Sequence, residues 1–259
     1  MNNNSKSADI IRQLAVIIAV AATIIVNGLA NALPINGLTT GDISDRFDVF
    51  FVPAGYVFSI WGLIYVGLIA YGIYQALPSQ RENPRLRSIG WVFVLSCIAN
   101  IVWIFPWHYE MFPLTILAMA VLLLSLIVIY QRLGTCNAQP TTAQRWLVHI
   151  PFSVYLGWIT VATIANVTSV LDYLNWNGFG ISEEIWFLIV LAVAVVIAGL
   201  MAKRCGDVAY LLVLVWAFVG IGVKHAATPI VGYSAYAAAA VVLVFAIVGY
   251  LRKRPQTTG

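Results

Sequence analysis

The sequence of 259 residues predicts an all-α polytopic membrane protein with about eight transmembrane helices. Three observations carry that expectation. Composition comes first: 61% of the residues are hydrophobic, 9% are charged and the mean hydropathy is +0.90. Soluble domains carry roughly a quarter charged residues, so a chain this depleted cannot keep its surface wet. Second, eight separate segments reach or approach the ~20 apolar residues that cross a hydrocarbon core. Third, Lys and Arg segregate to alternate connections along the chain.

The first apolar run, 10–33, is too long for the core of a signal peptide. It ends in "NGLANALP" rather than at a small-residue cleavage site. We read it as a retained helix behind a short N-terminal tail, 1–9. A long outer loop, 34–55, follows. Its "TTGDISDRFD" is acidic and turn-forming, and its end, "FFVPAGY", is aromatic. Further spans are expected at 56–77, 89–107, 111–131 and 150–171. Three plainer ones follow at 185–202, 208–223 and 233–251. The segments "LIVLAVAVVIAGLMA" and "AAAAVVLVFAIVG" are rich in small residues, which permit close helix packing without any site. The organisation read from this is a five-helix part, 10–175, a three-helix C-terminal part, 176–251, and a basic tail, 252–259.

Charge sets the orientation. Lys6, Arg12, Arg81, Arg85, Arg87, Arg132, Arg145, Lys203, Arg204, Arg252, Lys253 and Arg254 fall on one side, and only Arg46 and Lys224 on the other, 12 against 2. Cytoplasmic loops carry the excess of Lys and Arg, so both termini are expected in the cytoplasm. This accounts for the pI of about 9.0 with no nucleic-acid partner. The lipid bilayer is the expected surrounding. Cys97, Cys136 and Cys205 form neither a disulfide framework nor a metal cluster. Cys136 and Cys205 fall on the reducing side, so no disulfide is expected.

Ionisable residues avoid the middle of every span. Arg12, Asp172 and Glu184 sit at ends, where snorkelling suffices. Proton coupling through an intramembrane carboxylate loses weight accordingly. Lys224, in "GIGVKHAATP", is too near a helix end for a retinal Schiff base. His108, His149 and His225 form no ligand-spaced pair and are expected to be interfacial, with no metal site. No phosphate loop, nucleophile elbow or zinc-protease motif occurs. Enzyme is therefore the weakest class, with no catalytic residue assigned.

Uncharged polar and aromatic residues carry more information. Asn27 and Asn31 share a face near the outer end of the first span. Tyr56, Phe58, Trp61 and Tyr65 open the second, and Asn100, Trp103 and Trp107 close the third. Tyr155, Trp158, Ala162, Asn166 and Ser169 form a stripe on the fifth. Aromatic faces and amides of four helices thus fall in the same outer half. One reading is a pocket between helices 1, 2, 3 and 5 for a flat hydrophobic ligand. The other is an interfacial aromatic belt with Asn gluing helices together. The residues alone leave both open.

Those residues also resemble a family. "PAGYVFSIWGLIY" places Pro53 eight residues before Trp61 and Trp61 four before Tyr65. "ANIVWIF" pairs Asn100 with Trp103, and "WITVATIAN" spaces Trp158, Ala162 and Asn166 at steps of four. The pattern is similar to the TspO/translocator family, the tryptophan-rich sensory proteins, over about residues 10–175. The resemblance implies a five-helix bundle, here with three extra C-terminal helices. It implies a non-covalently held porphyrin- or haem-like ligand and a sensor or carrier role. Trp61, Tyr65, Asn100, Trp103, Trp158, Ala162 and Asn166 are the residues it points to. The runner-up expectation is a secondary transporter for a small hydrophobic solute. A third is light-driven oxidative chemistry on a bound porphyrin. The last three spans are left without a role; a lid, a homo-oligomer surface or a partner dock are the options.

Overall fold

A computed structural model describes residues 3–33 and 35–253; Pro34, Arg254 and the rest of the expected C-terminal tail lie outside the described residues. Among those described, the chain is helical with no strand. The helices are α1 (Asn3–Ala32), α2 (Thr40–Ser44), α3 (Ile60–Ala76), α4 (Pro84–His108) and α5 (Phe112–Leu133). Then α6 (Thr142–Gln144) runs through a π-helical turn, Arg145–His149, into α7 (Ile150–Tyr173). Finally come α8 (Glu183–Cys205), α9 (Val208–Lys224) and α10 (Pro229–Lys253).

Seven of these helical stretches are long and apolar enough to cross a membrane; the eighth apolar helix, Val208–Lys224, is shorter. At 1.5 Å per residue, its 17 residues span about 25 Å. The outward faces are apolar, with Ile18, Leu63, Val66, Leu117 and Val196 all exposed. Such continuous apolar exposure suits lipid rather than water. The chain is an integral, multi-pass membrane protein in contact with the bilayer.

Local chemistry sets the ends. Pro84 opens α4 behind Asn83, whose side chain accepts from the Arg85 and Leu86 amides. Gly134 and Gly206 close α5 and α8 in the left-handed conformation that favours glycine. Glu183 and Glu184 begin α8 while Lys203 and Arg204 end it, which suits the helix dipole.

Helices α1, α4, α5, α7 and α3 pack in a closed ring, each against the next. Helix α9 joins this ring through α7, α10 packs on α9, and α8 on α10. Gly157 makes the α7–α9 contact close: a Cβ there would lie 3.0 Å from the Tyr210 carbonyl oxygen. Asp207 caps α9 by accepting from the Tyr210 amide, and also accepts from the Tyr130 hydroxyl at 2.7 Å and the Ser153 hydroxyl at 2.5 Å. One buried carboxylate thus fastens α5, α7 and α9.

Two expectations are corrected here. Helix α1 begins at Asn3, inside the expected N-terminal tail. Arg12 consequently lies within α1, and it does not snorkel: it is 3% exposed. Its guanidinium donates to the Arg81 carbonyl at 3.0 Å, and Gly90 leaves room for its stem. Asp9 beside it pairs with Arg87. The last correction concerns sulfur. Cys136 and Cys205 are joined in a disulfide, with Cα atoms 4.1 Å apart. The loop after Gly134 folds beneath the end of α8, a contact that a separation of 69 residues hides in the sequence.

Candidate ligand cavity

The loop between α1 and α3 is where the site begins. Thr39 caps α2 in a reciprocal box with Asp42, and its hydroxyl and amide hold the Asp42 carboxyl below the usual carboxylate range. His108, buried at the end of α4, bonds Ile35 O through Nδ1 and Thr40 Oγ1 through Nε2. Trp107 donates to the Thr40 carbonyl at 3.2 Å. Ile43 and Phe47 pack with Trp107, Phe112 and Val170 into a small core of their own. The loop is therefore a fastened cap over the helical ring. Its far end is held from another side. The Ala54 amide donates to the Gly220 carbonyl and Trp216 donates to the Val57 carbonyl, both at 3.1 Å. Lys224 pairs with Asp45 at 2.9 Å. Helix α9 thus buttresses the cap.

Beneath the cap lies a cavity of about 230 Å³. Ten of the twelve candidate residues line it: Asn27 and Asn31 from α1, Trp61 and Tyr65 from α3, Asn100, Trp103 and Trp107 from α4, and Trp158, Ala162 and Asn166 from α7. The other two stand elsewhere. Tyr56 is exposed and packs edge-on against Trp216. Tyr155 is fully buried behind the wall, where its hydroxyl accepts from Asn100 Nδ2 at 3.0 Å. The spacing i, i+3 placed Tyr155 on the right face but could not give its depth.

The lining also includes residues the spacing did not single out. Met119 and Leu122 of α5 form part of the wall, so four helices of the ring are joined by the fifth. Thr40, Gly41 and Ser44 of α2, with Val52 and Pro53, form the roof. Thr115, four and seven residues before Met119 and Leu122, shares their face of α5, a single polar mark in an otherwise apolar run.

The amides are occupied. Asn27 Nδ2 donates to Asn100 Oδ1 at 2.7 Å, and Asn31 to the Asn27 carbonyl. Trp103 Nε1 donates to Asn166 Oδ1 at 3.1 Å, and Asn166 Nδ2 to Thr115 Oγ1 at 2.7 Å. These bonds tie α1 to α4 and α4 to α7 and α5, so the amides do glue helices. They also leave aromatic faces free toward the space. Trp61 stacks on Tyr65, and Trp103 on Trp107. Trp158 meets Phe58 and Trp61 edge-on.

One polar group is different. Trp158 is 2% exposed, lines the cavity, and its Nε1 has no hydrogen-bond partner among the described residues. A buried donor left unpaired is costly, and this atom shows almost no surface of its own to the adjoining space. No His lines the cavity, and no cluster of three His, Cys, Asp or Glu able to hold a metal ion occurs among the described residues.

A model of the family described as TSPO-like protein matches residues 13–248. The chain belongs to the TSPO-like family. The match runs past residue 175, where the resemblance read from motifs stopped, and takes in all but the last residues of the three C-terminal helices. In this TSPO-like chain those helices are thus covered by the family description, and they join the ring through α9. No curated protein and no solved structure matches the chain.

Proposed function

We propose that this TSPO-like protein binds a flat, largely apolar ligand of the tetrapyrrole type in the cavity beneath the cap, as a membrane sensor or carrier. The observation that carries the reading is the cavity itself, walled by the rings of Trp61, Trp103, Trp107 and Trp158 beneath a fastened cap. The rings of Trp61, Trp103 and Phe58 would cover the ligand's faces, while Trp158 Nε1, itself buried, would gain a partner only if its ring turned on binding. Family membership supports membrane binding as the general role.

Size bears on the ligand. The cavity of about 230 Å³ is smaller than the ~300–1,000 Å³ common for ligand pockets. A whole macrocycle would enter only with the cap displaced, whereas a smaller or partly inserted ligand fits the closed form. With no His on the wall, recognition would rest on ring faces and one N–H rather than on iron ligation by imidazole. We take the basic end of the bundle as the cytoplasmic side, which places the cavity in the outer half of the membrane.

The test is titration of purified protein with protoporphyrin, followed by Trp quenching. We expect saturable quenching, weakened up to about tenfold by Trp158→Phe, which leaves a smaller ring and so shortens the aromatic wall. Ala162→Phe should abolish it by filling the space. An unsaturable signal, the same in wild type and both variants, would sink the proposal.

A further inference from the structure

A larger cavity, about 820 Å³, lies outside the ring of five helices. It exists because α8 leans on α10 rather than on α7, leaving a wedge between α7 and α8 at the end away from the basic one. The depth of the wedge is apolar: Ile164 and Val167 face Phe187 and Val190. At its mouth, Trp176 and Trp186 stand with ring centroids 5.1 Å apart. Trp186 is held there, since its Nε1 donates to the Gly178 carbonyl at 2.8 Å and its ring fills the space a Cβ at Gly178 would take.

Charge at the mouth has one sign. Asp48, Asp172, Glu183 and Glu184 line it, and no Lys, Arg or His does. None of the four forms an ion pair among the described residues. The Lys and Arg at this end are committed elsewhere, Lys224 to Asp45 and Arg46 to Glu110, and His225, behind Phe50, holds a lowered pKa.

We propose that the α7–α8 wedge is a second binding site, for amphipathic organic cations: a hydrophobic amine, quaternary ammonium or phosphonium. The apolar body enters between Val167 and Phe187. The charge stays at the rim, against the indole faces and the carboxylates of Asp172 and Glu184. An anion meets repulsion at the mouth, and a neutral molecule gains nothing from it. Only a cation with apolar groups uses the walls, the rings and the charge together. The site is independent of the ligand assigned to the cavity beneath the cap.

Tetraphenylphosphonium and tetraphenylborate test this directly, because they match in shape and differ in sign. With full-length protein in a neutral detergent, we expect saturable binding of tetraphenylphosphonium by equilibrium dialysis. Tetraphenylborate should bind at least tenfold more weakly. The double variant Asp172→Asn, Glu184→Gln should lose at least tenfold affinity for the cation while leaving protoporphyrin quenching unchanged. Both positions are at the rim rather than in the core, so the variant is expected to fold; an unchanged thermal midpoint checks it. In nanodiscs, competition by phosphatidylcholine would make a lipid headgroup the source of the cation, and no competition a free solute. Equal binding of the two ions, or a double variant that binds the cation as wild type does, would overturn the proposal and leave a crevice filled by any apolar molecule. Loss of porphyrin binding alone would leave it standing.

Discussion

Asn27 donates its side-chain amide to Asn100 Oδ1 at 2.7 Å, and Asn100 in turn donates to the Tyr155 hydroxyl at 3.0 Å. This chain of side chains crosses from α1 through α4 to α7. It is what holds the cavity's walls at fixed separation, because each group in hydrocarbon needs its partner.

The size of its contribution can be bounded. Leaving a buried polar group unpaired costs about 1–3 kcal/mol in soluble proteins. Interhelical bonds in membranes average about 0.6 kcal/mol, because the unfolded chain in the bilayer also finds partners. The lower figure governs here. We expect Asn100→Ala, which removes both bonds although Asn27 Nδ2 keeps the Thr23 carbonyl, to cost about 1 kcal/mol by thermal or denaturant unfolding in detergent, and Tyr155→Phe less. A loss of less than a few tenths for Asn100→Ala would show the chain to be incidental.

Two glycines should respond to the same substitution with opposite sign. A Cβ at Gly220 would lie 2.1 Å from Val57 Cγ2 and 3.3 Å from Pro53. Gly220→Ala should therefore push the segment 53–57 off α9 at a cost of about 1–3 kcal/mol. It should also weaken porphyrin quenching, since Pro53 and Phe58 line the cavity. Gly28 has nothing within 4 Å of its Cβ position. Gly28→Ala in helix α1 should be neutral or stabilising by about 0.4–1 kcal/mol. Equal effects at the two sites would remove the support we assign to α9.

Acid should loosen the cap. Burial against Phe50 lowers the His225 pKa, and the adjacent Lys224 charge lowers it further; a bond to the Val52 carbonyl and the Asp48 charge work in the other direction but do not prevail. The folded state thus binds a proton at His225 less readily than the unfolded state does. Its contribution to stability is present above the unfolded value, about 6.5, and is lost as pH falls through the lower folded value. The thermal midpoint should drop between pH 8 and pH 5.5, and drop less in His225→Phe. An identical pH profile for the variant would exclude this residue as the cause.

The Cys136–Cys205 disulfide makes a further demand. It sits at the basic end of the bundle, where the positive-inside rule places a reducing compartment. It also joins the connection after α5 to the end of α8, and so links the ring to the C-terminal helices. In the chain-entropy account, closing a loop of this length is worth about 4 kcal/mol. Cys136→Ser should lower stability by that order under oxidising conditions and make no difference in reductant. Thiol labelling in intact cells, with and without prior reduction, reports which state is populated in the membrane. A thiol pair reactive without reduction would mean that the basic end governs and the link is open in the cell.

Much of the architecture was legible in the chain itself. Apolar runs of membrane-crossing length admit little but helices, because lipid offers backbone groups no other partner. The span limits at 89–107 and 208–223 consequently fall within a few residues of α4 and α9. The stripe Trp158, Ala162, Asn166 was equally readable, since steps of four keep one face whatever the partner. Depth and neighbours were not. Tyr155 obeys the same periodicity but lies behind the wall, and Tyr56 faces Trp216, because only the neighbouring helices determine how much space a face meets. Met119 and Leu122 enter the cavity from a helix whose inward face only Thr115 and Ser125 mark in an apolar run. The pairing of Cys136 with Cys205 and the buttress from Gly220 to the cap join residues far apart in the chain, and the wedge opens between two consecutive helices that part because α8 leans on α10. They follow from which helices pack and which stand apart, and that was decided by the tertiary structure alone.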